Sequence, residues 1–194
     1  MKDHKNKIYQ TLNELAEKGG TVILGGTADK NIPLCELKQA FDLNEKIYNR
    51  SFSGLSVTDA VSAFDSFITP LKPACVLLHL GEDDVTTFVA DPAAFDGAYR
   101  CLIQHIKESV PTCTIEVITH KNLENNPFIT DLNKHLKYIA ESERVEFEDI
   151  SANRIWNPKE TKEVVSFVYS TGFVHPLKRQ RSIYDLVKIF FCYN

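Results

Sequence analysis

The sequence predicts a three-layer α/β/α domain built on a mostly parallel sheet of about five strands. Three observations carry this expectation. Helical and strand-like patterns alternate along the chain. The most apolar run, Ala74-Cys75-Val76-Leu77-Leu78-His79-Leu80, is continuous rather than alternating, as in a strand covered on both faces. No internal repeat, low-complexity tract or long linker divides residues 1–194, so a single domain is expected.

The elements follow in order. Residues 8–18 read as an amphipathic helix with Ile8, Leu12 and Leu15 on one face, stopped by Gly19 and Gly20. Thr21 to Gly25 reads as a short buried strand, and residues 33–43 as a helix through Leu34, Leu37 and Phe41. Lys46 to Phe52 is a strand candidate. Ser56 opens a capping-box-like helix start, and that helix runs to about Ile68. After the apolar strand at 73–80, Asp91-Pro92 opens a long helix to about Val110, with Pro92 suited to its first turn. Thr112 to Thr119 is a β-branched strand, Asn126-Pro127 opens a helix through Leu136 and Ile139, and Arg144 to Ile150 is the last strand. Residues 151–171 are left unassigned, although Val164 to Tyr169 fit strand or helix. His175-Pro176 precedes a final helix carrying Val187, Phe190 and Phe191.

Composition narrows the function classes. Of 194 residues, 22 are Lys or Arg and 26 are Asp or Glu, a formal net charge of −4, which argues against a general nucleic-acid binder. No apolar run reaches the roughly 20 residues of a membrane helix. No apolar segment follows the basic N-terminus to make a signal peptide, so a cytoplasmic protein is expected. The five cysteines are odd in number, and none is paired in CxxC spacing. Buried reduced thiols are therefore favoured over disulfides or zinc.

In open parallel sheets, ligands bind beyond the carboxyl ends of the strands, near the point where strand order reverses. The loops there read Gly25-Gly26-Thr27-Ala28-Asp29, Asn49-Arg50-Ser51-Phe52-Ser53-Gly54 and Leu80-Gly81-Glu82-Asp83-Asp84, with His175 late in the chain. In order and spacing these blocks resemble those of the SGNH (GDSL-type) hydrolases, over residues 21–191. The resemblance implies a flavodoxin-like SGNH-hydrolase fold and cleavage of a short acyl or acetyl ester on a carbohydrate or lipid-like substrate. It places the nucleophile on Thr27, the oxyanion-donating glycine on Gly54, the oxyanion-donating asparagine on Asp83 and the histidine base on His175. It implies no cofactor and no metal, and its partner is a small ester or carbohydrate-like molecule.

The departures have chemical weight. The family's serine is replaced by Thr27, whose methyl crowds an attacking hydroxyl. The acid before the serine falls on Gly26, and the acid three residues before the histidine falls on Gly172. An ionised Asp83 offers only acceptors and repels an oxyanion, where loss of a single donor already costs about 10²–10³ in rate. The alternative function is a catalytically impaired protein that binds a small ligand or partner on the same fold. Plainer roles stand beside each site role. Thr27 caps backbone amides, and Gly54 supplies a positive-φ turn. Glu82, Asp83 and Asp84 form a solvated acidic loop, or a hard-cation site. His79 is a satisfied core residue, and His120 ends a strand without being assigned to the site.

Overall fold

A computed structural model describes residues 2–40, 42–122 and 124–151, together with Val187 and Phe191. Five strands form one sheet in the order β2-β1-β3-β4-β5, every neighbouring pair parallel. They are β1 (Thr21–Gly25), β2 (Ile47–Asn49), β3 (Cys75–His79), β4 (Thr114–Ile118) and β5 (Glu146–Glu148). Helices α1 (Lys2–Leu15), α2 (Leu34–Ala40), α3 (Val57–Phe67), α4 (Val85–Ala90), α5 (Pro92–Ser109) and α6 (Pro127–Glu143) connect them. This is the three-layer α/β architecture expected from the sequence. Strand order reverses between β1 and β3, so the crevice between their carboxyl ends is the switch point.

Alternation along the strands divides the core into two layers. Val22, Leu24, Val76, Leu78, Ile115 and Val117 face α3, α5 and α6. Ile23, Leu77 and Ile118 face the other way, against Leu37, Val187 and Phe191. All five residues of β3 are buried, which is why its sequence is continuously apolar.

Three helix starts are fixed by local chemistry. Ser56 accepts from the Asp59 N–H at 3.1 Å, Asp91 from the Ala94 N–H at 3.0 Å, and Asn126 from the Phe128 N–H at 3.0 Å. Pro92 and Pro127 occupy the first helical positions, where no amide donor is required.

Four expectations need correction. The first helix begins at Lys2 and ends at Leu15 rather than spanning residues 8–18. Its apolar stripe of Ile8, Leu12 and Leu15 is exposed, and Tyr9, Asn13 and Ala16 face the protein instead. Arg50 is the reason. This buried cation binds Asn13 Oδ1 through Nε (3.2 Å) and Nη2 (2.8 Å), and it lies over the Tyr9 ring at 4.9 Å. Strand β2 is confined to Ile47–Asn49, because past Asn49 the Gly25 N–H donates to the Ser51 hydroxyl rather than to a backbone carbonyl, although the Arg50 and Phe52 N–H groups still donate to the Ile23 and Gly25 carbonyls. A short helix, α4, precedes the long one and has no counterpart in the sequence expectations.

Cys75 is buried, Cys113 half-buried, and Cys35 and Cys101 are exposed, all as free thiols. Burial pushes the Cys113 thiol up to about 12 and that of Cys75 higher still. No helix among the described residues is long and apolar enough to cross a membrane. The segment 152–186, with His175, Trp156 and Tyr169, lies outside the described residues, as does most of the expected final helix.

Candidate active site

Strand β1 ends at Gly25, whose register partner is His79 at the end of β3. The loops that follow therefore emerge side by side. Gly26-Thr27 leaves β1, and a 3-10 turn at Glu82–Asp84 follows β3. The loop after β2 brings Ser53 and Gly54 to the same place. Gly54 has φ +68°, the positive-φ turn expected of it.

Thr27, Gly54 and Asp83 converge on one set of hydrogen bonds. The Thr27 main-chain N–H donates to Asp83 Oδ2 at 2.7 Å, and its hydroxyl donates to Oδ1 at 2.7 Å. The Gly54 N–H donates to Thr27 Oγ1 at 2.8 Å. Ser53 Oγ stands 3.3 Å from Thr27 Oγ1 and accepts from Lys30 Nζ at 3.4 Å. Thr27 thus caps no helix. Its oxygen serves Gly54 and its amide serves Asp83. The Asp83 carboxyl thus receives two donors, one on each oxygen.

The two glycines before Thr27 are required by close approach. A Cβ on Gly26 would overlap Asp83 Oδ2, and one on Gly25 would overlap the Asp29 carboxyl. The Gly25-Gly26 segment therefore passes between two carboxyl groups, and any side chain there displaces one of them.

The acidic loop is not uniformly solvated. Asp84 is buried and accepts from the Val57 N–H at 3.1 and 3.2 Å, which ties the β3 turn to the start of α3. Burial pushes its carboxyl above the usual range, the Val57 hydrogen bond opposing. Glu82 is exposed as a residue, yet desolvation around its carboxyl raises it as well; His79 pulls it down, and Asp29 and Asp83 push it up. Among the described residues, no group of three or more His, Cys, Asp or Glu side chains is arranged to hold a metal ion.

One pair is not evident in the sequence. Asp29 and His79, both buried, meet at 2.8 Å through Oδ2 and Nδ1. The His120 ring lies 4.2 Å from the His79 ring at 32°, and its Nε2 stands 3.1 Å from the Leu80 carbonyl. Phe191 meets His79 edge-on at 4.7 Å. Burial, with His79 beside it, holds His120 well below its ordinary value, so the ring is neutral. His79 is a core residue as expected, but its buried Nε2 has no hydrogen-bond partner among the described residues. The available signal was an Asp two positions beyond Thr27 and a lone His in the most apolar strand. Only the β1–β3 register joins them.

No protein-family model matches the chain, and no curated protein matches it in sequence. Solved structures do. A GDSL-like lipase from Bacteroides thetaiotaomicron superposes with a TM-score of 0.62 at 14% identity, covering 86% of this chain and 98% of that one. An acetylxylan esterase from Geobacillus stearothermophilus superposes with a TM-score of 0.54 at 18% identity, covering 89% and 91%. At these identities the likeness is one of fold: the chain has the SGNH (GDSL-type) hydrolase fold, in a divergent sequence.

Proposed function

We propose that this is a catalytically impaired protein of the ester-hydrolase fold class, whose Thr27 cleft binds a small ester or carbohydrate-like ligand without turning it over. One observation carries the reading. Asp83 Oδ2 accepts the Thr27 N–H at 2.7 Å, the amide that the family resemblance would give to a substrate oxyanion. The second donor, Gly54 N–H, is spent on Thr27 Oγ1 itself. An oxyanion forming there would meet a like charge and no free amide, which removes the largest single source of catalysis in acyl transfer.

A second reading rests on a different bond. The Thr27 hydroxyl donates to Asp83 Oδ1 at 2.7 Å, the geometry of a nucleophile and its general base. In that reading Thr27 Oγ1 attacks the ester carbonyl carbon and its proton passes to Asp83, which returns it to the alcohol oxygen as the ester C–O bond breaks. Water then attacks the acyl-Thr27, giving a proton to Asp83 that ends on Thr27 Oγ1 as the free acid leaves.

Hydrolysis of p-nitrophenyl acetate by the full chain separates the two. The expected result is turnover at the buffer rate, unchanged in Thr27→Ala, together with thermal stabilisation by non-hydrolysed ligands from an ester and sugar panel. Turnover that falls by about 10²-fold or more in both Thr27→Ala and Asp83→Ala overturns the binding reading and supports the second.

A further inference from the structure

Beyond β4 and β5, on the α6 side of the sheet, lies an open cleft of about 490 Å³. Thr119, Phe147 and Asp149 line it from the strand ends, and Asn125, Asn133 and Lys137 from the loop and first turns of α6. It shares no residue with the Thr27 cleft.

Much of this lining is held rigidly by the fold. The Thr119 hydroxyl donates to Asp149 Oδ1 at 2.9 Å and accepts from the Ile150 N–H at 2.8 Å. The Ser151 N–H donates to the same Oδ1 at 2.9 Å. Asn133 clamps the His120 peptide, accepting from its N–H at 2.8 Å and donating to its carbonyl at 2.7 Å. A cup fixed in this way loses little freedom when a ligand enters.

Other groups are left for a ligand. The Thr119 hydroxyl and the Ser151 N–H both reach Asp149 on Oδ1, and the Ser151 side chain adds a further hydrogen bond to this carboxyl. Burial raises this carboxyl, but the Ser151 and Thr119 hydrogen bonds and the Lys137 charge outweigh it, holding Asp149 below the usual range and ionised. Asn125 sits at φ +54°, and its side-chain amide has no hydrogen-bond partner among the described residues. Phe147 adds one apolar ring.

Charge balance decides the class of ligand. Lys134 is 2.8 Å from Asp131, and Lys137 is 4.0 Å from Glu141. Asp149 is a third carboxylate beside these two ammonium groups, so the cleft does not favour an anion. An apolar ligand would bury the amides and Asp149 unpaired. A neutral molecule dense in hydroxyls, each both donor and acceptor, satisfies a carboxylate, an amide and an ammonium at once, with its C–H face against Phe147. We propose that this cleft is a binding site for a neutral sugar of one or two rings. The proposal is independent of any chemistry at Thr27.

The test titrates the full chain with glucose, galactose, cellobiose and inorganic phosphate, read by saturation-transfer NMR and calorimetry. At least one sugar is expected to bind with a Kd of about 0.1–10 mM, a weak affinity suited to an open polar cleft. Asn125→Gly, which keeps the positive φ and removes the amide, is expected to weaken it about tenfold. Thr27→Ala is expected to leave it unchanged, and phosphate not to compete. Any one of three results overturns the site: no sugar bound at about 50 mM, preferential phosphate binding, or binding that responds to Thr27→Ala and not to Asn125→Gly.

Discussion

At Thr27, a main-chain amide and a side-chain hydroxyl give their protons to one carboxylate. That arrangement depends on Gly26, because Asp83 lies where a Cβ at position 26 would stand. Gly26→Ala is therefore expected to push the exposed Asp83 carboxyl off Thr27 at a cost of about 1 kcal/mol or less, because only the far end of a surface side chain has to move. Urea unfolding measures the cost, and a shift of the Thr27 amide resonance reports the broken bond. Stability and resonance both unchanged would mean that Asp83 has no fixed seat there. The family resemblance already set Thr27, Gly54 and Asp83 in loops beyond the carboxyl ends of three strands, where an ionised Asp83 would carry the wrong charge for an oxyanion hole. It did not show that Asp83 is bonded to both the Thr27 amide and its hydroxyl. That depends on side-chain reach between loops 56 residues apart, which no local pattern encodes. Asp29 and His79, 50 residues apart, were hidden for the same reason.

Among the elements, those with strong local chemistry were legible in advance. Strand β3 announced itself by unbroken apolarity, and α3, α5 and α6 by Ser56, Asp91-Pro92 and Asn126-Pro127. Helix α4, six residues long, is too short for a periodic pattern to register. Helix α1 misled because its apolar stripe is not its packing face. Arg50, bonded to Asn13, stacked on Tyr9 and covered by Tyr48 at 5.6 Å, docks it together with the Asn13 amide, which donates to the Phe67 carbonyl at 2.9 Å, and the Tyr9 ring against Phe52 and Phe67. Desolvation lowers this guanidinium from its ordinary value, with Tyr9 and Tyr48 offsetting part of that. Arg50→Ala removes the anchor and leaves Asn13 Oδ1 without its donor. It should cost about 1–3 kcal/mol and free α1 before the sheet unfolds. Hydrogen exchange confined to residues 8–15 would register this early release. Uniform exchange across the chain would show that α1 is held by something else.

For the molecule as a whole, the main electrostatic cost lies within the sheet. Glu116 is 5% exposed in β4, register-paired with Glu146 and near Glu148. Burial first, then these two neighbours, pushes its carboxyl up to about 7. The folded chain therefore holds this proton more tightly than the unfolded chain. Its contribution is complete below about pH 4.5 and is lost as pH rises through about 7. Glu116→Gln is expected to be more stable than the wild type at pH 8, by about 1–2 kcal/mol after allowance for screening, and to lose that advantage at pH 4. Unfolding curves of both proteins at the two pH values measure the difference. A constant gap across pH would assign the effect to packing rather than to the proton.

The seat that Asp83 occupies also bears on the order in which substitutions could act. The donor it captures belongs to the backbone of residue 27, so it stays captured whichever hydroxyl residue stands there. On the proposed binding reading, a serine at position 27 supplies an unhindered nucleophile and still finds that amide occupied. Removing the carboxylate comes first on that reading, and the choice between Thr and Ser at 27 counts only afterwards. The two positions then form a ratchet, in which the second step has no effect until the first is taken.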